Sequence, residues 1–352
     1  MRVAVACGGT GGHMFPGIAV ADELQKQGND VRIILSGRGV EAGVPERWRG
    51  KIIVVPAKTT GVGGFKKLWR YARLFLVSTP IAIVKLSKFK PEAIIAMGSY
   101  TSIAPMTAAR MMGVKHRYLH ESNVLPGIAN ELVSKFATKV YVAFDAAVKN
   151  FPKNECKVVG MPIREAITGI KWEKPSDVFT ITIMGGSQGS RAVNEKAAEA
   201  IKQLVAMGLN IRAIHIAGKD NEQGVRAMYS SDMPVEVYGF TDKMPEIYSK
   251  TSLCISRAGA ASCFELCTCG IPSIMIPLPR EARDHQRYNA EAMEQWGASK
   301  MLLQDGLSVE TLVSTIKELY DSPNKLVEMS NKAFEHSAGQ AALRLAEDIA
   351  AS

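Results

Sequence analysis

The chain has 352 residues, of which 47% are hydrophobic and 22% are charged, so it is long enough for about two globular domains of about 150 residues each. This composition excludes a disordered, collagen-like or coiled-coil protein. The net charge of +9 is uneven, because residues 1–160 carry +13 and the remaining residues carry −4, so the two halves are expected to meet partners of different charge.

Short β-branched runs alternate with amphipathic segments along the chain, as in doubly wound parallel sheets. This alternation occurs twice, with a joint near residues 160–162, so the sequence predicts an α/β protein with two Rossmann-like domains that face a shared cleft. We expect domains at 1–160 and 161–332, and a last helix, about 333–352, that could pack on either. The predicted strands are, in order, RVAVAC, DVRIIL, KIIVVP, AIIAMG, RYLHE and KVYVAF, then FTITIMGG, IRAIHIAG, VEVYGF, SLCISRAG and PSIMIP.

The targeting and cysteine patterns predict a cytoplasmic protein. The start of the chain, MRVAVACGG, lacks the basic segment and long apolar core of a signal peptide. The longest apolar stretch, Leu74–Val84, is well short of the roughly 18 to 20 residues that span a bilayer. Six cysteines without paired CxxC spacing predict buried, reduced thiols.

The segment Lys58–Lys90 carries eight basic residues and no acidic one, which implies an anionic partner surface. Its cations are interleaved with apolar side chains at near-helical spacing, and this pattern favours a membrane surface over nucleic acid. The alternative is an ordinary amphipathic helix that packs on its own core. The residues predicted to meet the membrane are Phe65, Lys66, Lys67, Leu68, Trp69, Arg70, Arg73, Phe75, Lys85 and Lys88.

Four glycine-rich loops each join a predicted strand to a predicted helix. Loop 1 is Cys7–Pro16, loop 2 is Met97–Pro105, loop 3 is Met184–Asn194 and loop 4 is Ser256–Leu266. Glycine allows positive φ and close approach of the backbone, so the N–H groups of loops 1 and 3, at helix N-termini, are predicted to cradle an anion. One such loop is weak evidence, but four at the carboxyl ends of strands predict a ligand site.

Loop 1 does not match the two commonest nucleotide-binding motifs. A P-loop needs GxxxxGK[ST], whereas His13 follows Gly12 here and no lysine is present. A dinucleotide fingerprint needs a third glycine where this loop has Met14. Because the dinucleotide fingerprint is incomplete, an NAD-type dehydrogenase is only an alternative. A noncatalytic membrane or nucleic-acid adaptor is another.

Seven motifs carry a resemblance to one known family across residues 1 to about 290. They are GGTGGHMFPGIAVA, MGSYTSIAP, HESNVLPGIAN, GMPIR, GGSQGSRAVN, SRAGAASCFEL and DHQRYNA. In order and spacing they resemble the MurG family, the bacterial peptidoglycan N-acetylglucosaminyltransferases. Two motifs depart from the family pattern, because loop 2 reads GSY where the family usually has GGY, and HESN replaces the usual HEQN.

The resemblance implies a glycosyltransferase of the two-Rossmann-domain (GT-B) type. Such an enzyme moves N-acetylglucosamine, with inversion, from UDP-N-acetylglucosamine (UDP-GlcNAc) to the muramoyl 4-hydroxyl of lipid I, an undecaprenyl-linked acceptor, and the product is lipid II. It implies no cofactor and no nucleic-acid partner. Because the acceptor stays in the bilayer, it also implies a peripheral position on the anionic inner face of the cell membrane.

The resemblance further implies a donor site held mainly by the second domain. Glu265 would accept hydrogen bonds from both ribose hydroxyls, and Arg164 with Ser187 would meet the diphosphate. The Thr241 backbone would contact uracil. Gln286 and Asn289 lie three residues apart on one helix face, and their side-chain amides would contact the sugar hydroxyls. The implied donor residues are Thr10, Gly11, Gly12, Asn123, Arg164, Ser187, Thr241, Ala260, Ala261, Ser262, Cys263, Phe264, Glu265, Gln286 and Asn289.

The attacking hydroxyl needs a proton acceptor, and our prediction is His13, with Glu121 as the competing base. A positive helix terminus disfavours the imidazolium and keeps the ring basic near pH 7. No DxD-like acidic pair occurs in the loops, so we expect helix N-termini, Arg164 and Ser187 to stabilise the leaving diphosphate without a metal. The implied acceptor residues, all in loop 2, are Gly98, Ser99, Tyr100, Thr101 and Ser102.

Overall fold

The computed structural model describes residues 1–9, 11–37, 41, 48–57, 74–186, 188–279 and 283–352. Within these ranges the chain divides into two compact units. Unit 1 is Met1–Arg164 together with Gly339–Ser352, and unit 2 is Glu165–Ala338. The chain therefore leaves unit 1 slightly beyond the joint expected from the sequence, and it returns to unit 1 at Gly339.

Unit 1 is built on a parallel β-sheet. Its strands are β1 (Arg2–Ala6), β2 (Asp30–Leu35), β3 (Lys51–Val54), β4 (Ala93–Ala96), β5 (His116–Glu121), β6 (Lys139–Val142) and β7 (Glu155–Val158). They are ordered β3-β2-β1-β4-β5-β6-β7. The central strands are apolar on both faces, as parallel sheets covered by helices require; Val3, Ala4 and Val5 of β1, for example, are fully buried.

Unit 2 contains a second parallel sheet. Its strands are β8 (Phe179–Met184), β9 (Ile211–Ile216), β10 (Val235–Tyr238), β11 (Leu253–Ser256), β12 (Ser273–Met275) and β13 (Ser299–Met301). They are ordered β10-β9-β8-β11-β12-β13. Every residue of β8 is buried, which agrees with its continuous run of apolar and threonine side chains.

Helices follow most of the strands and pack on the two sheets. In chain order they are α1 (Gly11–Lys26), α2 (Thr79–Phe89), α3 (Ile103–Met111), α4 (Ile128–Ser134), α5 (Glu165–Thr168), α6 (Arg191–Ala206), α7 (Glu222–Arg226), α8 (Met244–Tyr248), α9 (Ala260–Cys269), α10 (His285–Gln295), α11 (Val309–Tyr320), α12 (Pro323–Glu335) and α13 (Ala341–Ala350). A π-helical turn, Leu74–Ser78, precedes α2. Shorter 3-10 turns are Tyr100–Ser102, Asp145–Asn150 and Gln304–Gly306.

The two sheets repeat the same topology, and this topology sets where the glycine loops lie. The strand order reverses between β1 and β4 in unit 1 and between β8 and β11 in unit 2. Loops 1 and 2 follow β1 and β4, and loops 3 and 4 follow β8 and β11. Ligands of open α/β sheets bind at such switch points. The predicted α/β class with two Rossmann-like domains is confirmed, and each unit carries a pair of glycine loops at its switch point.

The C-terminal helix α13 belongs to unit 1, where it packs against α1. Leu345, Ala346 and Ile349 are buried in the same apolar core as residues of β1, β2 and α1. The apolar stripe of α13 recurs every three to four residues, so all three side chains face the same way. The last helix, which the sequence could not assign to a domain, therefore completes the first.

Asp348, on the same helix, makes a polar attachment to the sheet of unit 1. Its carboxylate accepts a hydrogen bond from the Tyr141 hydroxyl at 2.6 Å and pairs with Lys139 at 2.8 Å and Lys157 at 2.7 Å. Burial opposes ionisation of Asp348, but hydrogen bonds from the two lysines and the tyrosine hold its pKa well below the usual range.

We expect Asp348→Asn to lower the free energy of unfolding by about 1 to 3 kcal/mol, because Lys139 and Tyr141 lose a charged acceptor. Urea denaturation at pH 7 measures this. Since the pKa of Asp348 is lowered by folding, the difference between variant and wild type should shrink as the pH falls below about 4. Glu347→Gln, on the exposed side of α13, is the control. Equal stability of the Asp348 variant and this control would contradict the role given to the carboxylate.

Candidate active site

His13 lies at the start of α1, within loop 1, and a backbone carbonyl orients its ring. The Nδ1 atom is 2.9 Å from the carbonyl oxygen of Met97 in loop 2. A carbonyl oxygen can only accept, so in the neutral ring Nδ1 carries the proton and Nε2 keeps the lone pair. The ring is therefore held as a proton acceptor with a defined orientation.

Gly98 makes room for this ring. Its φ is +99°, a backbone conformation that L side chains rarely adopt, and an added Cβ would lie 3.0 Å from two ring atoms of His13. The same Cβ would lie 3.1 Å from Nδ2 of Asn130. Glycine thus lets His13 and Asn130 approach the same turn of the backbone.

The environment of His13 favours its neutral form. Burial lowers the pKa of the ring below its usual value, and the hydrogen bond with Met97 opposes that shift only in part. The sequence predicted the same direction from the helix N-terminus, whereas in the structure desolvation is the main cause. A ring with a lowered pKa is unprotonated at pH 7 and can take a proton from a substrate hydroxyl.

Glu121, the competing base, is buried at the end of β5. Its Oε1 accepts hydrogen bonds from the backbone N–H of Asn123 at 2.9 Å and from the side-chain amide of Asn123 at 3.2 Å. Its Oε2 accepts one from Nδ2 of Asn130 at 2.6 Å. The carboxylate therefore orients two amide side chains, one of which adjoins Gly98. This geometry favours His13 over Glu121 as the base.

Two hydroxyls from the predicted acceptor set bond to backbone carbonyls, one of them joining loop 2 to loop 1 and the other closing a turn within loop 2. Thr101 Oγ1 donates to the carbonyl of Gly8 at 2.7 Å, and Ser102 Oγ donates to the carbonyl of Gly98 at 2.5 Å. Both side chains are buried. Ser99 and Tyr100 are partly exposed, so they are the members of the set that a ligand could reach.

Glu41 is a buried carboxylate that the sequence did not single out, and it holds the start of loop 1. It accepts hydrogen bonds from the N–H groups of Gly9 at 2.9 Å and Gly37 at 2.7 Å, and from the N–H and hydroxyl of Ser36 at 3.1 and 2.7 Å. The prediction that the N–H groups of loop 1 cradle a bound anion is wrong at Gly9, because this N–H donates to a carboxylate of the protein itself. No local pattern marks Glu41, since its partners follow two different strands.

In unit 2, short helix α8 connects the residues predicted to meet uracil and ribose. Thr241 lies just before the helix, and its hydroxyl accepts the N–H of Lys243 at 3.0 Å. Tyr248 ends the helix, and its hydroxyl donates to Oε2 of Glu265 at 3.0 Å. Glu265 itself is partly exposed on α9, after loop 4.

The first turn of α9 presents backbone N–H groups at the end of loop 4. Ala261 and Ser262 are partly exposed there, whereas the side chains of Ala260, Cys263 and Phe264 are buried. A ligand at this turn would meet mainly the backbone. Such an arrangement suits an anion, because the helix N-terminus is its positive end.

Gln286 and Asn289 lie on α10, but both make contacts within unit 2. Asn289 is buried, and its Nδ2 donates to the carbonyl of Ala258 in loop 4 at 3.1 Å. Oε1 of Gln286 accepts the N–H of Leu278 at 3.1 Å. The Asn289 amide therefore shapes loop 4, and its contact with the donor sugar stays a prediction.

Arg257 is a buried cation that the sequence analysis missed, although it stands inside the SRAG motif of loop 4. Its guanidinium donates to the carbonyls of Ile276 and Pro277, each at 3.0 Å, to the hydroxyl of Ser190 at 2.6 Å and to Gln304 at 2.5 Å. Ser190 caps α6 at the end of loop 3. Arg257 therefore ties loops 3 and 4 together and adds a positive charge between them.

The remaining predicted residues lie beside His13, at the end of unit 1 or outside the described ranges. Gly11 and Gly12 begin α1 beside His13. Arg164 is the last residue of unit 1. Thr10, Ser187 and the stretch 65–73, which holds most of the predicted membrane residues, lie outside the described residues, as does the side chain of Phe75.

The cysteines are free thiols, as predicted, and all but Cys156 are buried. Burial raises the pKa of Cys263 to about 12, which makes this thiol unreactive. Across the ranges that the structure covers, no group of three or more His, Cys, Asp or Glu side chains could hold a metal ion.

Each unit has a Rossmann-like parallel sheet with paired glycine loops at its switch point, and family models identify the class of protein. The N-terminal domain of glycosyltransferase family 28 matches residues 3–142, and the C-terminal domain of the same family matches residues 180–345. This chain is therefore a family 28 glycosyltransferase.

Individual relatives narrow the assignment. A protein of Citrifermentans bemidjiense, named UDP-N-acetylglucosamine--N-acetylmuramyl-(pentapeptide) pyrophosphoryl-undecaprenol N-acetylglucosamine transferase, is 35% identical over 340 residues, which cover 95% of this chain and 94% of that protein. A protein of the same name from Geobacter sulfurreducens is 32% identical over 362 aligned residues, and the match covers 100% of this chain and 99% of that protein. The crystal structure of Acinetobacter baumannii MurG matches with a TM-score of 0.83 at 29% identity, over 100% of this chain and 99% of that one.

The chain belongs to the MurG family of N-acetylglucosamine transferases. The family and the enzyme class predicted from the seven motifs are confirmed. The findings support the transferase over the two alternatives, a dehydrogenase and a noncatalytic adaptor.

Proposed function

We propose that this chain transfers N-acetylglucosamine from UDP-GlcNAc to the muramoyl 4-hydroxyl of lipid I, and that lipid II and UDP are its products. The relatives' names supply the donor and acceptor classes. The observation that carries the chemistry is the orientation of His13, whose Nδ1 faces the Met97 carbonyl at 2.9 Å and leaves Nε2 as a proton acceptor.

In the proposed reaction the acceptor oxygen attacks the anomeric carbon of the donor sugar. The bond from that carbon to the diphosphate breaks, its electron pair leaves with UDP, and the hydroxyl proton passes to Nε2 of His13. Displacement from the opposite face inverts the anomeric centre and gives a β linkage. The lowered pKa of His13 supports this role, because the ring is free to accept a proton at neutral pH.

The leaving diphosphate gathers negative charge as the bond breaks, so it needs fixed positive partners. In our proposal the N-termini of α6 and α9 supply backbone N–H groups, and Arg164 and Ser187 add a charge and a hydroxyl. Arg257 stands behind these loops and reinforces the positive field. Glu265 accepts the ribose hydroxyls, and the Thr241 backbone meets the base.

The direct test is transfer of radiolabelled N-acetylglucosamine from UDP-GlcNAc to a lipid I analogue with a short polyprenyl chain. We expect a product that needs both substrates, and thermal stabilisation of the protein by UDP but not by NAD. Stabilisation by NAD, with no transfer, would favour a dehydrogenase. Binding of anionic vesicles with neither transfer nor UDP binding would favour an adaptor.

We also propose that unit 1 binds an anionic membrane surface on the cytoplasmic side, where a polyprenyl-linked acceptor resides. The described end of the basic segment supports this proposal. Leu76, in the turn before α2, is 73% exposed, and Val84 on α2 is 57% exposed, with Lys85 and Lys88 also exposed on the same helix. Met111, at the end of neighbouring α3, is also exposed. No helix in the described ranges has both the length and the apolar character needed to cross a bilayer.

The pattern on α2 differs from that of a helix that only packs on its own core. Ala82, Leu86 and Phe89 are buried, yet Val84 on the other side of the helix and Leu76 in the turn before it are exposed large apolar side chains. Exposed apolar side chains next to lysines suit an interface that is apolar below and anionic at its surface.

Reversing the charge of Lys85 and Lys88 together should lower binding to phosphatidylglycerol vesicles at least about tenfold, because each lysine near an anionic surface contributes about 1 kcal/mol. Replacing Leu76 and Val84 by Ser should also weaken sedimentation with vesicles. The charge effect should disappear at high salt, because dissolved ions then screen electrostatic attraction over a short distance. Both variants should still act on a soluble short-chain acceptor.

Met207→Ser is the matched control, since Met207 is an exposed apolar residue of unit 2. If the Lys85/Lys88 and Leu76/Val84 variants bound vesicles as the wild type does, α2 would be excluded as a membrane-binding surface. Lys66, Lys67, Arg70 and Arg73, which precede the described part of this segment, would then be the next set to reverse.

A further inference from the structure

We infer that Tyr248 is a positioning residue for nucleotide binding, whose hydroxyl orients the Glu265 carboxylate toward the two ribose hydroxyls of the donor. The inference deepens the proposed function and rests on its assignment of Glu265 to the ribose. The Tyr248 hydroxyl donates a hydrogen bond of 3.0 Å to Oε2 of Glu265.

The surroundings of this hydroxyl leave little choice of partner. Tyr248 is only 1% exposed, and the other polarisable atom near its oxygen is Sδ of Met184 at 3.8 Å. A thioether is a weak acceptor, whereas an ionised carboxylate is a strong one. The single phenolic proton therefore goes to Glu265. Burial, and next the charge of Glu265, raise the pKa of Tyr248 well above its usual value, so the hydroxyl keeps its proton across the working pH range.

The geometry of a carboxylate explains why such a donor matters. A carboxylate offers about four lone-pair sites on two oxygens. The bond from Tyr248 engages one site of Oε2 and restrains the orientation of the carboxylate that, in the proposed function, accepts two vicinal hydroxyls. Glu265 is partly exposed, so loss of this donor removes one restraint on its side chain, and nucleotide binding must then supply that ordering.

Helix α8 gives Tyr248 a second connection to the nucleotide. Thr241, the predicted uracil contact, lies just before α8 and is bonded to the N–H of Lys243, and Tyr248 closes the same short helix. One element therefore supports the base contact at its start and the ribose contact at its end. Met184 ends β8 and opens loop 3, so the phenol also adjoins the predicted phosphate loop.

Tyr248→Phe separates the two roles of this side chain, because it keeps the buried ring and removes only the hydroxyl. The probes are UDP and 2′-deoxy-UDP, and Kd is measured by calorimetry. Wild type should bind 2′-deoxy-UDP at least about tenfold more weakly than UDP, since a hydrogen bond to a charged group is lost. In Tyr248→Phe, UDP binding should weaken about three- to tenfold and the deoxy penalty should fall below about threefold, while kcat at saturating UDP-GlcNAc stays near wild type.

Tyr238→Phe is a matched control, because Tyr238 also donates to a carboxylate, Oε2 of Glu236 at 2.7 Å, but on strand β10. It should leave both affinities unchanged. Melting temperatures of the two variants report on folding, and if Tyr248→Phe melts early, the titrations are made well below its melting temperature, where the variant is folded.

The outcomes distinguish the inference from the proposal on which it rests. A wild-type protein that binds UDP and 2′-deoxy-UDP equally would overturn the ribose role of Glu265, and the positioning role with it. A wild type that discriminates, with a Tyr248→Phe variant that discriminates equally well, would overturn the positioning role alone. Loss of discrimination in Tyr248→Phe, with kcat retained, is the result that supports it.

Discussion

Replacing His13 by Ala is expected to lower kcat by about 10²- to 10⁴-fold, the usual contribution of a positioned general base, while the Kd for UDP stays nearly unchanged. The reason is the division of labour in the proposed reaction, in which His13 takes the acceptor proton and unit 2 holds the nucleotide. Steady-state transfer assays and UDP titrations on the same preparations measure both quantities.

The pH dependence of kcat adds an independent readout. Burial lowers the pKa of His13 from its ordinary value of 6.5, and the neutral ring is the active form. The wild-type kcat should therefore hold from pH 8 down through about pH 6.5 and fall only at lower pH, where the ring gains a proton. In the Ala variant this acidic limb should disappear.

Two further variants decide between the candidate bases. His116→Ala, on the same unit at the start of β5, should leave kcat near wild type. Near-normal turnover by His13→Ala would exclude His13 as the base. If Glu121→Gln then lost turnover, the role would move to Glu121, against the geometry of its three amide donors.

Replacing Glu265 by Ala is expected to weaken UDP binding by about 1.5 to 3 kcal/mol, or roughly 10- to 150-fold in Kd, because two ribose hydroxyls lose a charged acceptor. The fold should be kept, since Glu265 is partly exposed and its helix is anchored by buried Phe264 and Leu266. Calorimetric titration with UDP, with a thermal melt beside it, measures the effect.

Glu246→Ala is a suitable control for the Glu265 variant, because Glu246 is an exposed acid on nearby α8. It should bind UDP as the wild type does. A Kd for UDP that does not change in Glu265→Ala would show that the ribose is recognised elsewhere, and Tyr248 would then have no role in the nucleotide site.

The fold was predictable because its strands are strong local signals. All eleven strand segments expected from the sequence occur in the two sheets. The two strands that were not predicted, β7 and β13, are edge strands: β7 is largely exposed, with sequence ECKV, and β13 has three residues, SKM. Neither has the apolar run that a buried strand needs. The place of α13 was also beyond local reasoning, because Asp348 finds its partners on β6 and β7, far away along the chain.

The candidate site divides in the same way. Glycine loops and their helix starts are visible in a linear pattern, and so is a histidine that opens a helix. The residues that support them depend on contacts between distant segments. No sequence pattern near Glu41 predicts its hydrogen bond with Gly9. The same is true of Tyr248 and its partner Glu265. Thr101 and Ser102 show the converse, because hydroxyls in a predicted ligand loop are instead bonded to backbone carbonyls.

The hydrogen bond from the Gly9 N–H to Glu41 makes the glycine loops of the two similar sheets differ in their affinity for an anion. Both units have the same strand order and a glycine loop after the first strand, so a diphosphate could in principle dock at either. In unit 1 an internal anion already accepts the Gly9 amide, and its negative charge repels a second anion at that loop. Under the proposed function, in which unit 2 holds the nucleotide, this one buried acid disfavours the diphosphate at loop 1 and reserves that loop for uncharged sugar hydroxyls.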